Sequence, residues 1–164
     1  MANSDFYYGA YPAEYSNSLS GIFDMKMRNG NTTDFAHAVQ LGIWGFDLSS
    51  ERPINKKSGS SYLFNYRYSY SGLADKISGS DEGLNYQDLA FKINLPTKKM
   101  GTFTFWGIGL LDKIIQRPED DPKQWETSME RQEQKADFQK GAIGMAHTLS
   151  WNDNTYLRSN IGIT

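Results

Sequence analysis

The chain has 164 residues, 17 basic and 19 acidic side chains and a net charge of -2, enough for one ordinary domain and too evenly balanced to offer a basic stripe for nucleic acid or an acidic tail. It contains no cysteine, which excludes disulfide frameworks, zinc ribbons and thiol chemistry within these residues. Its 10 Tyr, 9 Phe and 4 Trp coexist with a mean hydropathy of -0.62, a combination suited to half-apolar strands and exposed interfaces.

The opening residues Met1-Ala2-Asn3-Ser4-Asp5 lack a basic stretch followed by an apolar core, so no signal peptide is read there: either the chain is cytosolic or its start is missing. Unbroken apolar runs such as Ile108-Gly109-Leu110-Leu111 are far shorter than the ~20 residues a membrane helix needs. Over 33–51 the apolar phase switches from Phe35, Val39, Leu41 and Ile43 to Trp44, Phe46 and Leu48. A slip of one residue moves every side chain to the other face, so the spacing predicts a hairpin turning at 42–45.

Residues 60–71 alternate most regularly, with Tyr62, Phe64, Tyr66, Tyr68 and Tyr70 on one face and Ser61, Leu63, Asn65, Arg67 and Ser69 on the other. Segment 84–95 repeats the pattern, setting Leu89, Phe91, Ile93 and Leu95 against Asp88, Ala90, Lys92 and Asn94. A further strand is expected over 102–112. From 137 to 150, Ile143, Met145 and Leu149 oppose Lys140, Ala142 and Gly144; from 155 onward Leu157, Ile161 and Ile163 oppose Tyr156, Arg158 and Asn160. Such lengths match the ~9 to 11 residues of a tilted membrane-spanning strand.

Alternation alone does not say which face meets water. The connections give it a direction: 52–59, 96–101 and 152–154 are short, whereas 72–83 and 112–136 are long, polar and charged. Outer-membrane barrels have short periplasmic turns on one rim and long extracellular loops on the other. Within the second loop a helix is expected over 122–135, capped by Asp121 with Pro122 first and Trp125 and Met129 paired. The acidic run at 119–121 lacks the ligand spacing of a calcium loop and reads as solvated charge.

On this reading Tyr62, Phe64, Tyr66, Tyr68, Leu89, Phe91, Ile93, Ile143, Met145, Leu157 and Ile161 are lipid-facing candidates. Asn65, Arg67, Ser69, Asp88, Lys92, Asn94, Lys140, Arg158 and Asn160 are candidates to line a lumen or meet a plug. Five rings on one strand, four of them Tyr, would strain a small dry core because buried hydroxyls need partners; Tyr at a headgroup interface has no such difficulty. His37 and His147 have no companions at metal-ligand spacing, and no phosphate loop, nucleophile elbow or HExxH is present, so no cofactor, metal or enzymatic chemistry is expected.

The stretch from Tyr8-Gly9-Ala10-Tyr11-Pro12 through Ser20-Gly21-Ile22-Phe23-Asp24, followed by Arg28-Asn29-Gly30-Asn31, resembles the end of the plug domain in TonB-dependent outer-membrane receptors of Bacteroidota. The resemblance continues in Glu51-Arg52-Pro53, in Ser61-Tyr62-Leu63-Phe64-Asn65-Tyr66-Arg67-Tyr68-Ser69, and in Phe91-Lys92-Ile93-Asn94-Leu95-Pro96 with Gly101-Thr102-Phe103. It departs at Arg52, where the family usually has Gly, and in length. The resemblance implies an all-β chain: the end of a plug over 1–31, with 21–28 as a strand, then about seven strands of an antiparallel transmembrane barrel of about 22 over 32–164.

It further implies active import of a glycan, iron chelate, vitamin or peptide across the bacterial outer membrane. The TonB complex would engage a segment absent from this chain, and outer-membrane lipid and a surface lipoprotein are its other expected partners. The alternatives are a non-transporting barrel adhesin or scaffold, and a soluble β-sandwich or small barrel that binds carbohydrate on aromatic faces.

Overall fold

Alternating side chains leave opposite sides of an extended backbone, and the period-two segments of this chain fold as strands. The computed structural model describes residues 4–9, 12, 15, 20–70, 83–116, 118 and 131–164. Two short strands come first: β1 (Asp5–Tyr8) and β2 (Gly21–Asp24) pair antiparallel, with Asp5 opposite Asp24. Lys26 Nζ lies 2.8 Å from Asp5 and 3.1 Å from Asp24; their carboxylates raise its pKa and tie the pair to the segment that follows.

The remaining strands are β3 (Ala36–Gly42), β4 (Gly45–Asn55), β5 (Ser60–Tyr70), β6 (Gly83–Pro96), β7 (Thr102–Gln116), β8 (Gln134–Asn152) and β9 (Thr155–Ile163). They form a 7-stranded antiparallel sheet in sequence order, each strand beside its neighbours in the chain. The sheet is open, with β3 and β9 each paired on one side. Connections alternate between its two ends: the turns at 56–59, 97–101 and 153–154 share one end, and 43–44, 71–82 and 117–133 share the other.

In two turns glycine is required by space as well as by backbone conformation. Gly45 closes the 42–45 hairpin at φ 136°, where an added Cβ would lie 2.0 Å from the Tyr68 carbonyl oxygen. Gly101 ends the 97–101 turn at φ 74°, where a Cβ would lie 2.1 Å from the Thr148 carbonyl oxygen. The expected hairpin and its phase switch are therefore present: Val39 pairs with Leu48 and Leu41 with Phe46.

Several boundaries differ from expectation. The strand expected over 21–28 stops at Asp24, because the polar groups of 27–31 turn to partners on the large sheet instead of to a ladder. β7 extends past 112 to Gln116 and β8 begins at Gln134, since Ile114 and Ile115 find ladder partners in Ala136 and Lys135. Gln134 and Lys135, expected to end a helix, are thus strand residues; the rest of that helix over 122–130, the acidic run 119–121 and most of the 72–83 loop lie outside the described residues.

Candidate functional site

Residues directly opposite one another in an antiparallel ladder share a face. Register therefore extends alternation across the whole sheet. One row runs Tyr62, Ile93, Phe105, Met145, Ile161, and another runs Leu41, Phe46, Tyr68. Every residue expected to face lipid falls on this apolar side. The opposite, polar side carries the row Asp47, Arg67, Asp88 and the row Asn94, Thr104, Ala146, Asn160, and it collects every candidate for the lumen or plug.

Burial is inverted relative to a soluble domain. Leu41 is 79% exposed, Ile161 65% and Ile143 58%, whereas Ser61 is 0% and Ser60 6% exposed. Gly30, Pro53 and Asn94 are also buried, and they gather where β4, β5 and β6 approach the short-turn end. Pro53 lies beyond the reach of β3, so its missing N–H removes no ladder bond there. On β7 both faces are apolar, because Trp106, Ile108 and Leu110 sit on the polar side. Trp106 spreads over Gly144, where an added Cβ would lie 2.6 Å from the indole.

The buried polar spot is where the N-terminal segment lands. Arg28 makes a two-pronged ion pair with Glu51, Nη2 to Oε1 at 2.9 Å and Nη1 to Oε2, and the same Oε2 accepts from the Asn31 backbone N–H at 3.0 Å. This hydrogen-bonded carboxylate raises the Arg28 pKa. Lys92 Nζ donates to the Met27 carbonyl oxygen at 2.6 Å, joining residues 65 apart in sequence. Between these contacts Gly30 lies flat on β5, where an added Cβ would be 1.9 Å from the Tyr62 carbonyl oxygen. Glu51 and Lys92 thus hold 27–31 against the polar face at two points, with a glycine permitting backbone contact between them.

A charge-assisted, two-pronged pair is stronger than a neutral hydrogen bond and demands a planar carboxylate with two accepting oxygens. Glu51→Gln keeps the shape and removes half of that acceptance, so we expect docking of 27–31 to weaken by about 1 kcal/mol, discounted for the half-exposed Arg28. Trypsin cleavage at Arg28, followed by mass spectrometry, should accelerate severalfold; an unchanged rate would remove Glu51 from the interface.

Further from the short-turn end, Arg67 Nε bonds Asp88 at 2.7 Å and its guanidinium lies 5.3 Å from the Tyr86 ring, while Asn65 donates to Asp47 at 3.0 Å. Ser69 Oγ donates to the Trp44 carbonyl oxygen at 2.9 Å, so it serves the 43–44 turn. Lys140, Arg158 and Asn160 share the polar face but stand exposed on β8 and β9, away from the docked segment. Sequence reasoning singled out Lys92 and passed over Glu51, Arg28 and Gly30. Glu51 had a visible signal in the run Asp47, Ser49, Glu51 on one face of β4; Gly30 had none, because its constraint comes from a carbonyl 32 positions downstream.

Among the described residues no group of three or more His, Cys, Asp or Glu side chains is arranged to hold a metal. His147 stacks on Phe103 with centroids 4.3 Å apart and bonds the Met100 carbonyl oxygen at 2.7 Å. Comparison of the chain with protein-family models, curated proteins and solved structures finds no match.

Proposed function

We propose that this chain is a section of a bacterial outer-membrane β-barrel wall, its apolar face toward lipid and its polar face toward a lumen occupied by the segment ending at residue 31. On this reading residues 1–31 end a plug, 32–164 supply the first strands of the wall, and the protein imports a nutrient as a TonB-dependent receptor. One observation carries it: 27–31 dock through Arg28, Met27 and Asn31 onto Glu51 and Lys92 of the polar face, while the opposite face leaves Leu41, Leu89, Phe105, Ile143 and Ile161 exposed and the rings from Tyr62 to Tyr68 half-buried.

A soluble sandwich would bury that apolar face under a second sheet, and strands that are not neighbours pack little on one another here. Lipid satisfies the same face without a second layer. The band covers most of the height required: Phe103 to Leu111 on β7 spans roughly 27 Å along the strand, and a tilt of about 40° brings this to roughly 21 Å against the ~25 Å apolar girdle of such barrels. Import would require no chemistry on the substrate. Energy would come through TonB acting on a segment preceding the plug end, and a surface lipoprotein would meet the end that carries the longer connections.

Fractionation tests the location. The protein should sediment with outer membranes and resist carbonate extraction, and recovery from the soluble fraction would sink the proposal. Transport is separated from adhesion by removing the energy-coupling protein. Accumulation of the nutrient that requires this gene should then stop; undiminished accumulation would favour a passive scaffold.

A further inference from the structure

We infer that the short-turn end of the sheet is a docking surface for anionic phospholipid headgroups, an inference that rests on the membrane reading above. The turns at 56–59 and 97–101 each present a lysine doublet, Lys56-Lys57 and Lys98-Lys99, and all four side chains are exposed. The two turns belong to adjacent hairpins joined through the β5–β6 ladder, which sets them about 10 Å apart, two strand spacings. None of the four forms an ion pair among the described residues.

The turns hold these lysines outward. The Asn55 side chain accepts from the Lys57 backbone N–H at 2.9 Å; Thr97 Oγ1 bonds the Gly101 carbonyl oxygen at 2.7 Å and accepts from the Met100 N–H at 3.0 Å. A fifth cation, Arg52, stands on the apolar face at the same end, its guanidinium 4.7 Å from the Phe35 ring centre. That position is specific: an apolar body lies beside lipid while the charge reaches the headgroup level. The nearby acids are Asp34 and Asp153, with Glu51 already engaged by Arg28 on the other face, so cations prevail. At the opposite end the described charges are mixed, as in Lys113, Asp137, Lys135 and Glu133. A row of unpaired cations at the edge of an apolar face complements a leaflet bearing negative headgroups.

The test measures partitioning of the detergent-solubilised chain, after dilution, into phosphatidylcholine vesicles with and without phosphatidylglycerol. Phosphatidylglycerol should raise the partition coefficient at least about tenfold at low salt, as expected for several lysines near a charged surface. K56Q/K57Q/K98Q/K99Q should abolish most of that gain, and K113Q/K135Q should leave it intact. Inorganic phosphate at matched ionic strength should not compete, as a surface of headgroups requires; selective competition would identify a site for free phosphate and overturn the inference. Equal binding to both vesicles, or a gain that survives the fourfold variant, would overturn it while leaving the membrane reading standing. Failure to bind either vesicle would overturn both.

Discussion

Phe91→Arg is expected to destabilise the vesicle-embedded protein by about 2 to 4 kcal/mol, the cost of an arginine on the lipid face near the bilayer midplane. Phe91 lies midway along the apolar run Leu89 to Leu95 of β6, opposite Phe64, and its ring roofs Gly107. An arginine there must either bring water into the band or stretch toward a rim several residues away. Asn65→Arg supplies the matching control. Asn65 belongs to the polar face, next to Asp47, where a guanidinium has a carboxylate to meet, so its effect should stay within about 1 kcal/mol. Urea titration of both variants reads the difference. Equal, small effects would mean that both faces meet water.

Gly30→Ala should release the N-terminal segment from the wall. Gly30 does not occupy the left-handed region, so alanine suits its backbone; the conflict is one of space alone, 1.9 Å to the Tyr62 carbonyl oxygen. Two backbones fixed by sheet hydrogen bonds on one side and by Glu51 and Lys92 on the other have little room to part. Displacing the segment forfeits the Arg28–Glu51 pair, the Asn31–Glu51 bond and the Lys92–Met27 bond together. Tryptic cleavage at Lys26 and Arg28 should rise at least about tenfold, equivalent to about 1.4 kcal/mol of lost docking. Gly109→Ala, on β7 with nothing within 4 Å of the added Cβ, should cleave at the parental rate. If the two variants behave alike, 27–31 is not held where Gly30 places it.

These expectations rest on both sequence and tertiary placement. The alternation of Tyr62 through Tyr70, the phase switch at 42–45 and the contrast between short and long connections were legible because each depends on a residue and its close neighbours. The seven-strand antiparallel order follows from the same local signals. Strand ends were less legible: Ile114 and Lys135 extend β7 and β8 only because each finds a partner across the ladder. β1 was not anticipated, since four residues offer too short a pattern and its partner lies beyond an intervening stretch. The latch was least legible. Lys92 was legible as one of four cations on the polar face, with Arg67, Lys140 and Arg158, but its acceptor is a backbone carbonyl 65 residues earlier, which no side-chain pattern announces.

Arg52 shows how a departure from a family pattern acquires a physical meaning. As a sequence feature it weakened the match to a glycine-containing turn. In the fold it lies over Phe35 at the edge of the apolar face, beside the lysine-bearing turns, where a cation has a use if lipid headgroups lie there. The aromatic strand gained definition in a similar way. Tyr66 and Gln87 share a hydrogen bond at 2.9 Å, and Tyr62 meets Ser50 at 3.0 Å, so hydroxyls on the apolar face find partners within it.

In the proposed wall one face of the sheet meets lipid and the other water. The absence of cysteine allows a single one to be introduced at each position from Ser61 to Tyr70, labelled with an environment-sensitive dye and challenged with lipid-borne and water-soluble quenchers in vesicles. Strict alternation is expected, with lipid quenching at 62, 64, 66 and 68 and aqueous quenching at 65, 67 and 69; aqueous quenching at both parities would mean that neither face meets lipid.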